Sequence, residues 1–149
     1  MIYLDSSYLA KLYIREPGSE EVERWLDARP EQVVCCLHGR LEVFAAFKRQ
    51  QRAQRLTESH VRAAARRLET EEKAAVFRWL PIDALLMSSA CAWMQKLPPS
   101  VFLRAADALH LACAADAGLK EIYSHDRHLL AAAAHFGLRG IDIISPKSK

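Results

Sequence analysis

Residues 1–21 read MIYLDSSYLAKLYIREPGSEE. The apolar run MIYL over residues 1–4 is short enough for a buried strand, and Asp5-Ser6-Ser7 directly after it supplies turn and helix-capping side chains. Leu9, Leu12 and Tyr13 then recur at helical spacing, so the segment predicts strand, turn and helix in that order. Pro17 and Ser19 open a second helix in which Val22, Trp25 and Leu26 fall at i, i+3 and i+4, and Arg29-Pro30 closes it.

The alternation continues outward. Gln32 to Leu37 reads as a buried strand, and apolar residues Leu41, Phe44 and Phe47 mark a helix from Arg40 to about Arg55. An alanine- and arginine-rich helix from Thr57 to about Ala75 completes a helical hairpin. Residues 77–82 (FRWLPI) predict a strand, with Asp83 capping a helix over 84–96 that Pro98-Pro99 ends. A helix from Leu103 to Ala117 carries Ala108, Leu111, Ala112 and Ala115 on one face and stops at Gly118. Glu121 to Tyr123 is a short strand, Asp126 caps a helix from Arg127 to Phe136, Gly137 ends it, and Ile141 to Ile144 form a last strand. Strands that are continuously apolar and alternate with helices indicate an α/β fold whose parallel sheet is covered on both faces.

The 149 residues suffice for one core, and no linker, repeat or low-complexity stretch divides them, so a single domain over 1–149 is expected. With 51% hydrophobic and 26% charged residues the chain is neither disordered nor fibrous. The sequence holds no apolar run of membrane-spanning length and no secretory leader, which points to a cytoplasmic protein without membrane contact. Cys35, Cys36, Cys91 and Cys113 sit in apolar or alanine-rich runs without metal-knuckle spacing and read as reduced core residues.

Charge is uneven along the chain. Residues 1–40 hold seven acids against five Lys and Arg, whereas residues 41–80 hold nine Lys and Arg against five acids. Lys48, Arg49, Arg52, Arg55, Arg62, Arg66, Arg67 and Arg78 recur on the helical hairpin and after it, a pattern that suits contact with a polyanion and equally a solvated helix face.

In an open parallel sheet, functional groups collect beyond the carboxyl ends of the strands. Asp5 follows the first strand and Asp126 lies three residues after Tyr123; both also suit helix capping. Asp107 is a lone carboxylate near the start of an alanine- and leucine-rich helix, and Glu42 is a lone acid between Leu41 and Val43. The sequence lacks GxSxG, GxxxxGK[ST], GxGxxG and HExxH, so nucleophile-elbow, phosphate-loop, dinucleotide and zincin chemistries have no support.

These features together make the chain resemble the PIN-domain ribonucleases, most closely the VapC-type toxins of toxin–antitoxin pairs. The likeness lies in residues 1–21, the glutamate-bearing helix around Arg40 to Phe47, Asp107-Ala108-Leu109-His110-Leu111-Ala112, and Ser124-His125-Asp126-Arg127, in family order across nearly the whole chain. The resemblance implies a three-layer α/β/α fold with strand order 3-2-1-4-5 and an acidic set of Asp5, Glu42, Asp107 and Asp126, with Ser6 beside it. It implies Mg2+ or Mn2+ as cofactor, with Asp5 and Asp107 as the firmest ligands, Asp126 as a third direct or water-mediated one, and Glu42 positioning water or a second ion. Hard oxygen donors suit such ions. The implied reaction is endonucleolytic hydrolysis of RNA, with Arg49, Arg52, Arg62 and Arg66 as candidate RNA contacts and a small antitoxin as partner.

The sequence departs from the family at His38 and His125, read as surface or rim residues. Imidazole favours transition metals, so both bear on metal preference. A His/Asp metallohydrolase built on Asp107, His110, His125, Asp126 and His128 is one alternative, in which case His110 would not simply pack with its ring bonded to backbone. A catalytically silent RNA- or protein-binding module is the other. Trp93, Met94 and Leu97, with Val101 and Phe102, supply either core packing or the interface of a homodimer.

Overall fold

A computed structural model describes residues 1–144. Its elements are β1 (Ile2–Tyr3), α1 (Ser6–Lys11), α2 (Ser19–Asp27), β2 (Val33–Cys36), α3 (Leu37–Arg52), α4 (Glu58–Lys73), β3 (Phe77–Leu80), α5 (Ala84–Lys96), α6 (Ala105–Asp116), β4 (Glu121–Tyr123), α7 (Arg127–Ala132) with a 3-10 turn at Ala133–Phe136, and β5 (Arg139–Ile141). All strand pairs are parallel: β1 on β2, β2 on β3, and β4 on β5. The two ladders meet where Leu4 bridges Tyr123 and the Asp5 amide donates to the Tyr123 carbonyl at 3.0 Å. The order is therefore 3-2-1-4-5, with a single bridge as the seam between β1 and β4.

Period-two alternation along the strands splits the core into two layers. On one face Cys35 and Phe77 pack with Leu9 of α1, Val43, Ala46 and Phe47 of α3, and Val61, Ala64 and Leu68 of α4. On the other, Tyr3, Val34, Cys36 and Leu80 meet α5, α6 and α7 through Leu86, Leu111, Cys113 and Leu129. Fully buried side chains such as Phe47 and Leu68 each contribute roughly 1.5–3 kcal/mol by leaving water. Cys35, Cys36 and Cys113 are buried as expected, but Cys91 is exposed, because it lies on the outer face of α5 while Leu86 and Ala90 take the inner one.

The caps fall where the side chains predict. Asp5 accepts the Tyr8 amide at 3.1 Å, Thr57 pairs reciprocally with His60, Asp83 accepts the Leu86 amide at 2.8 Å, and Asp126 accepts the amides of His128 and Leu129 at 2.8 and 3.2 Å. Two boundaries differ from expectation. Helix α3 begins at Leu37, three residues before Arg40, because Cys36 ends β2 in extended geometry and itself occupies the N-cap. The last strand lies at Arg139–Ile141 rather than Ile141–Ile144, since the left-handed Gly137 turns the chain back onto β4 at once and pairs Arg139 with Glu121. Ile143 and Ile144 instead pack against the small core of Ile2, Leu4, Tyr8 and Val22.

Candidate active site

Three strand ends and the first turns of their helices converge on one cavity of about 390 Å³ whose walls include Asp5, Ser6, Glu42, Arg49, Arg104, Asp107, His125 and Asp126. The local folding explains the convergence. Asp5 and Asp126 cap α1 and α7, Asp107 sits in the first turn of α6, and Glu42 lies in the second turn of α3. Capping and cavity lining are thus one placement.

Asp5 is 4% exposed. Its Oδ1 accepts the Ser7 hydroxyl at 2.7 Å and the Tyr8 amide, and its Oδ2 accepts the Ser124 hydroxyl at 2.5 Å. Burial pushes its pKa above the ordinary carboxylate value, and these hydrogen bonds together with the charge of His110 offset only part of that push. A carboxylate held ionised here calls for a cation.

Asp107 and Asp126 share a cation already. The Arg104 Nε donates to Asp107 Oδ2 at 2.8 Å, and Arg104 Nη2 donates to Asp126 Oδ2. The same Ser124 hydroxyl that donates to Asp5 accepts the Asp126 amide at 2.8 Å, so one side chain fixes the spacing of two acids.

Glu42 is oriented by histidines. His110 Nε2 lies 2.7 Å from Glu42 Oε2 and His38 Nε2 lies 3.7 Å from Oε1. Burial raises the Glu42 pKa, but the hydrogen bond and charge of His110, with help from Ser6 and His38, outweigh it and the net shift is downward. Burial likewise lowers His110, and its hydrogen bonds and charge interactions with Cys36 and Glu42 reverse that into a rise.

The residues expected from sequence divide as follows. Asp5, Ser6, Glu42, Asp107 and Asp126 come together at one cavity, with Arg49 on its wall. Arg52, Arg62 and Arg66 are exposed and do not line it, and Arg62 pairs with Glu58. His125 is a rim residue as expected, bonded to Asp142 at 3.0 Å, whereas His38 is only partly exposed and pairs with Glu42. His110 contradicts its reading as a ring bonded to backbone: both nitrogens meet side chains, Nδ1 facing the Tyr3 hydroxyl at 3.0 Å. With Nε2 committed to Glu42 and His128 packed edge-on to Phe102, the His/Asp metallohydrolase set is not assembled. Of the residues offered for an interface, Trp93 stacks on Phe136 and Leu97 and Val101 pack on the core, leaving Met94 and Phe102 exposed.

Sequence reasoning missed Arg104, Ser124 and the His110–Glu42 pair. Arg104 stands three residues before Asp107, the spacing at which helical side chains meet, and that signal was available. The pairing of His110 with Glu42 spans 68 positions and needs the fold.

The model of the family described as PIN domain matches residues 2–135. The chain belongs to the PIN-domain family. Among solved structures this PIN domain is similar to FitAcB from Neisseria gonorrhoeae, with TM-score 0.76 and 20% identity over 98% of this chain and 100% of that one. It is also similar to the sarcin–ricin-loop-cleaving toxin VapC20 of Mycobacterium tuberculosis, with TM-score 0.71 and 22% identity over 89% of this chain and 95% of that one. A toxin–antitoxin complex from Klebsiella pneumoniae gives TM-score 0.63 and 19% identity over 96% and 98%. A comparison with curated proteins found no match.

The donor set of this PIN domain fits a hard divalent ion. It is all oxygen, one acid is buried at an energetic cost, and a guanidinium already bridges two others. Among the described residues no three of these carboxylates bring oxygens within 4.8 Å of one another, so one or two would coordinate directly, with water completing the shell, the usual habit of magnesium. No helix among the described residues is long and apolar enough to cross a membrane.

Proposed function

We propose that this PIN domain is a metal-dependent endoribonuclease and the toxin of a toxin–antitoxin pair. The observation that carries the reading is the convergence of Asp5, Glu42, Asp107 and Asp126 on one cavity in which Arg104 already supplies positive charge to two of them. The similarity to a sarcin–ricin-loop-cleaving toxin and to a toxin–antitoxin complex supports the same reading.

Asp5 and Asp107 would hold Mg2+ or Mn2+, with Asp126 as a third ligand reached through water. When bound, such an ion supplies Lewis-acid charge at the scissile phosphate and lowers the pKa of the attacking water. The chain's own groups do the rest. Ser7 and Ser124 fix the Asp5 carboxylate, Ser124 spaces Asp126 from it, and His110 aims Glu42 so that its oxygen can orient water and accept its proton. Arg49, exposed on the cavity wall, offers a contact for an RNA phosphate. Arg104, which bonds Asp107 and Asp126 in this structure, would be available to the same phosphate if those carboxylates held a metal ion. An antitoxin that directs a cation into the cavity would inhibit in competition with metal, and exposed Met94 and Phe102 offer the apolar part of a homodimer interface.

The test is cleavage of total RNA by the purified chain with Mn2+ or Mg2+, with EDTA, and with Asp107→Asn, followed by sequencing of 5′-phosphate ends. Discrete cut sites that vanish with EDTA and fall by at least about a hundredfold in the variant are expected, the scale of losing a transition-state charge contact. Cleavage undiminished by EDTA or by Asp107→Asn in the folded protein would overturn the reading.

A further inference from the structure

Behind Glu42, on the core side of His110, lies a second cluster of ligating atoms. Cys35 and Cys36 end β2, His110 stands on α6, and all three are buried with one ligand atom each inside a mutual distance of 4.8 Å. Cys36 Sγ is 3.5 Å and Cys35 Sγ is 3.9 Å from His110 Nδ1. We propose that Cys35, Cys36 and His110 form a zinc(II) site, separate from the acidic cavity and independent of the nuclease reading.

The distances suit the ion. With Zn–S of about 2.3 Å and Zn–N of about 2.0–2.1 Å at tetrahedral angles, sulfur and nitrogen lie roughly 3.5 Å apart. The ligands are soft thiols and imidazole, unlike the oxygen set on the other side of Glu42. The strongest feature lies outside the ligands themselves. A metal-bound imidazole commonly donates its second N–H to a carboxylate, which fixes its tautomer and orientation, and here Nε2 stands 2.7 Å from Glu42 Oε2 while Nδ1 faces the sulfurs. The Tyr3 hydroxyl, which accepts the Cys36 amide at 3.0 Å and lies 3.0 Å from Nδ1, is the group that the ion displaces from that nitrogen. Gly39 roofs the cluster, since a Cβ there would stand 2.4 Å from Cys35 Sγ and 3.2 Å from His110 Cε1.

Binding replaces protons with the ion. Both thiols ionise, any proton on Nδ1 leaves, and all are released to solvent, so affinity rises with pH. The bound ion would hold His110 as the Nε2–H tautomer aimed at Glu42, tying a soft-metal supply to the geometry of one cavity acid.

Cobalt(II), which reports thiolate ligation in its spectrum, is the probe. It is added to the reduced full chain, both native and renatured from urea so that burial does not bar entry. One equivalent should give a near-ultraviolet thiolate-to-cobalt charge-transfer band and intense visible bands of a tetrahedral site, both erased by zinc. The signal should persist in the Asp5→Asn/Asp107→Asn double variant, which excludes the acidic cavity as its source. In that double variant, Cys35→Ala and Cys36→Ala should each lower zinc affinity by at least about tenfold and abolish the zinc-dependent rise in thermal midpoint. Absence of the thiolate band in the reduced, folded wild-type chain overturns the proposal even if neither cysteine variant folds. So does a zinc-dependent midpoint shift that survives both cysteine substitutions in the Asp5→Asn/Asp107→Asn background.

Discussion

Asp5 answers to two demands, and they set its behaviour with pH. As the N-cap of α1 it needs to accept the Tyr8 amide, and as a buried acid it resists ionising, with a pKa raised from the ordinary 3.8. A raised pKa means the folded chain holds this proton more tightly than the unfolded chain. The stability linked to that proton is present at low pH and is lost as pH climbs through the folded value. Asp5→Asn keeps an oxygen for Tyr8 and Ser7 and removes the charge, while the Ser124 hydroxyl can rotate to accept the new amide. In EDTA the variant should therefore melt at a higher temperature than wild type at neutral pH, with the gap closing toward pH 4; equal midpoints at neutral pH would refute the assignment. Arg104 gives the complementary test. Its guanidinium is 57% exposed, so its pairs with Asp107 and Asp126 are screened and together worth about 1 kcal/mol, and Arg104→Ala should tighten Mn2+ binding by about fivefold. Isothermal titration giving unchanged or weaker binding would show that the arginine does not compete with metal.

Helix α3 shows where reading elements from sequence stops. Its apolar stripe of Phe44 and Phe47 is plain at three-residue spacing, and so is its existence, but the expected start at Arg40 leaves out His38-Gly39, which belong to the first turn of the helix. Glycine at that place reflects tertiary contact: the helix backbone passes so near Cys35 and His110 that a side chain has no room. Gly39→Ala should thus destabilise the fold, because the overpacking cost of about 1–3 kcal/mol exceeds the helix-propensity gain of under about 1 kcal/mol. A lower urea midpoint with unchanged slope is the expected result, and a higher midpoint would mean that α3 can shift away at no cost. The last strand was misplaced for a related reason. Arg139-Gly140-Ile141 carries little β propensity, but Gly140 lets β5 approach Leu130 so closely that an added Cβ would meet its backbone at 2.9 Å, whereas the apolar Ile143 and Ile144 that suggested a strand serve a different core.

At the scale of the whole molecule, alternation of strand and helix made the layered fold and the four acids legible, since both arise from local patterns at strand ends. The pairing of acids with Arg104, Ser124 and His110 was not, because it depends on how α6 and α7 dock beside β1. The basic hairpin is the clearest case of a sequence signal that the fold divides. Nine Lys and Arg lie over residues 48–78, and eight of them suggested one polyanion surface, but of these only Arg49 lines the acidic cavity. Arg49, near the end of α3, reaches the acidic cavity; Arg62 on α4 is engaged with Glu58, and Arg67 with Glu71 and the Leu12 carbonyl. An RNA strand drawn to the cavity would therefore release a counterion at Arg49 but not at Arg62. Arg49→Ala should weaken RNA binding by roughly three- to tenfold at moderate salt and reduce the slope of log affinity against log salt by about 1, whereas Arg62→Ala should leave that slope unchanged. Both are measured in the Asp107→Asn background with EDTA present, where the proposed function expects no cleavage to distort the titration. If the two substitutions flatten the slope equally, the hairpin binds RNA as one diffuse basic face, and the cavity has no directed route for the phosphate chain.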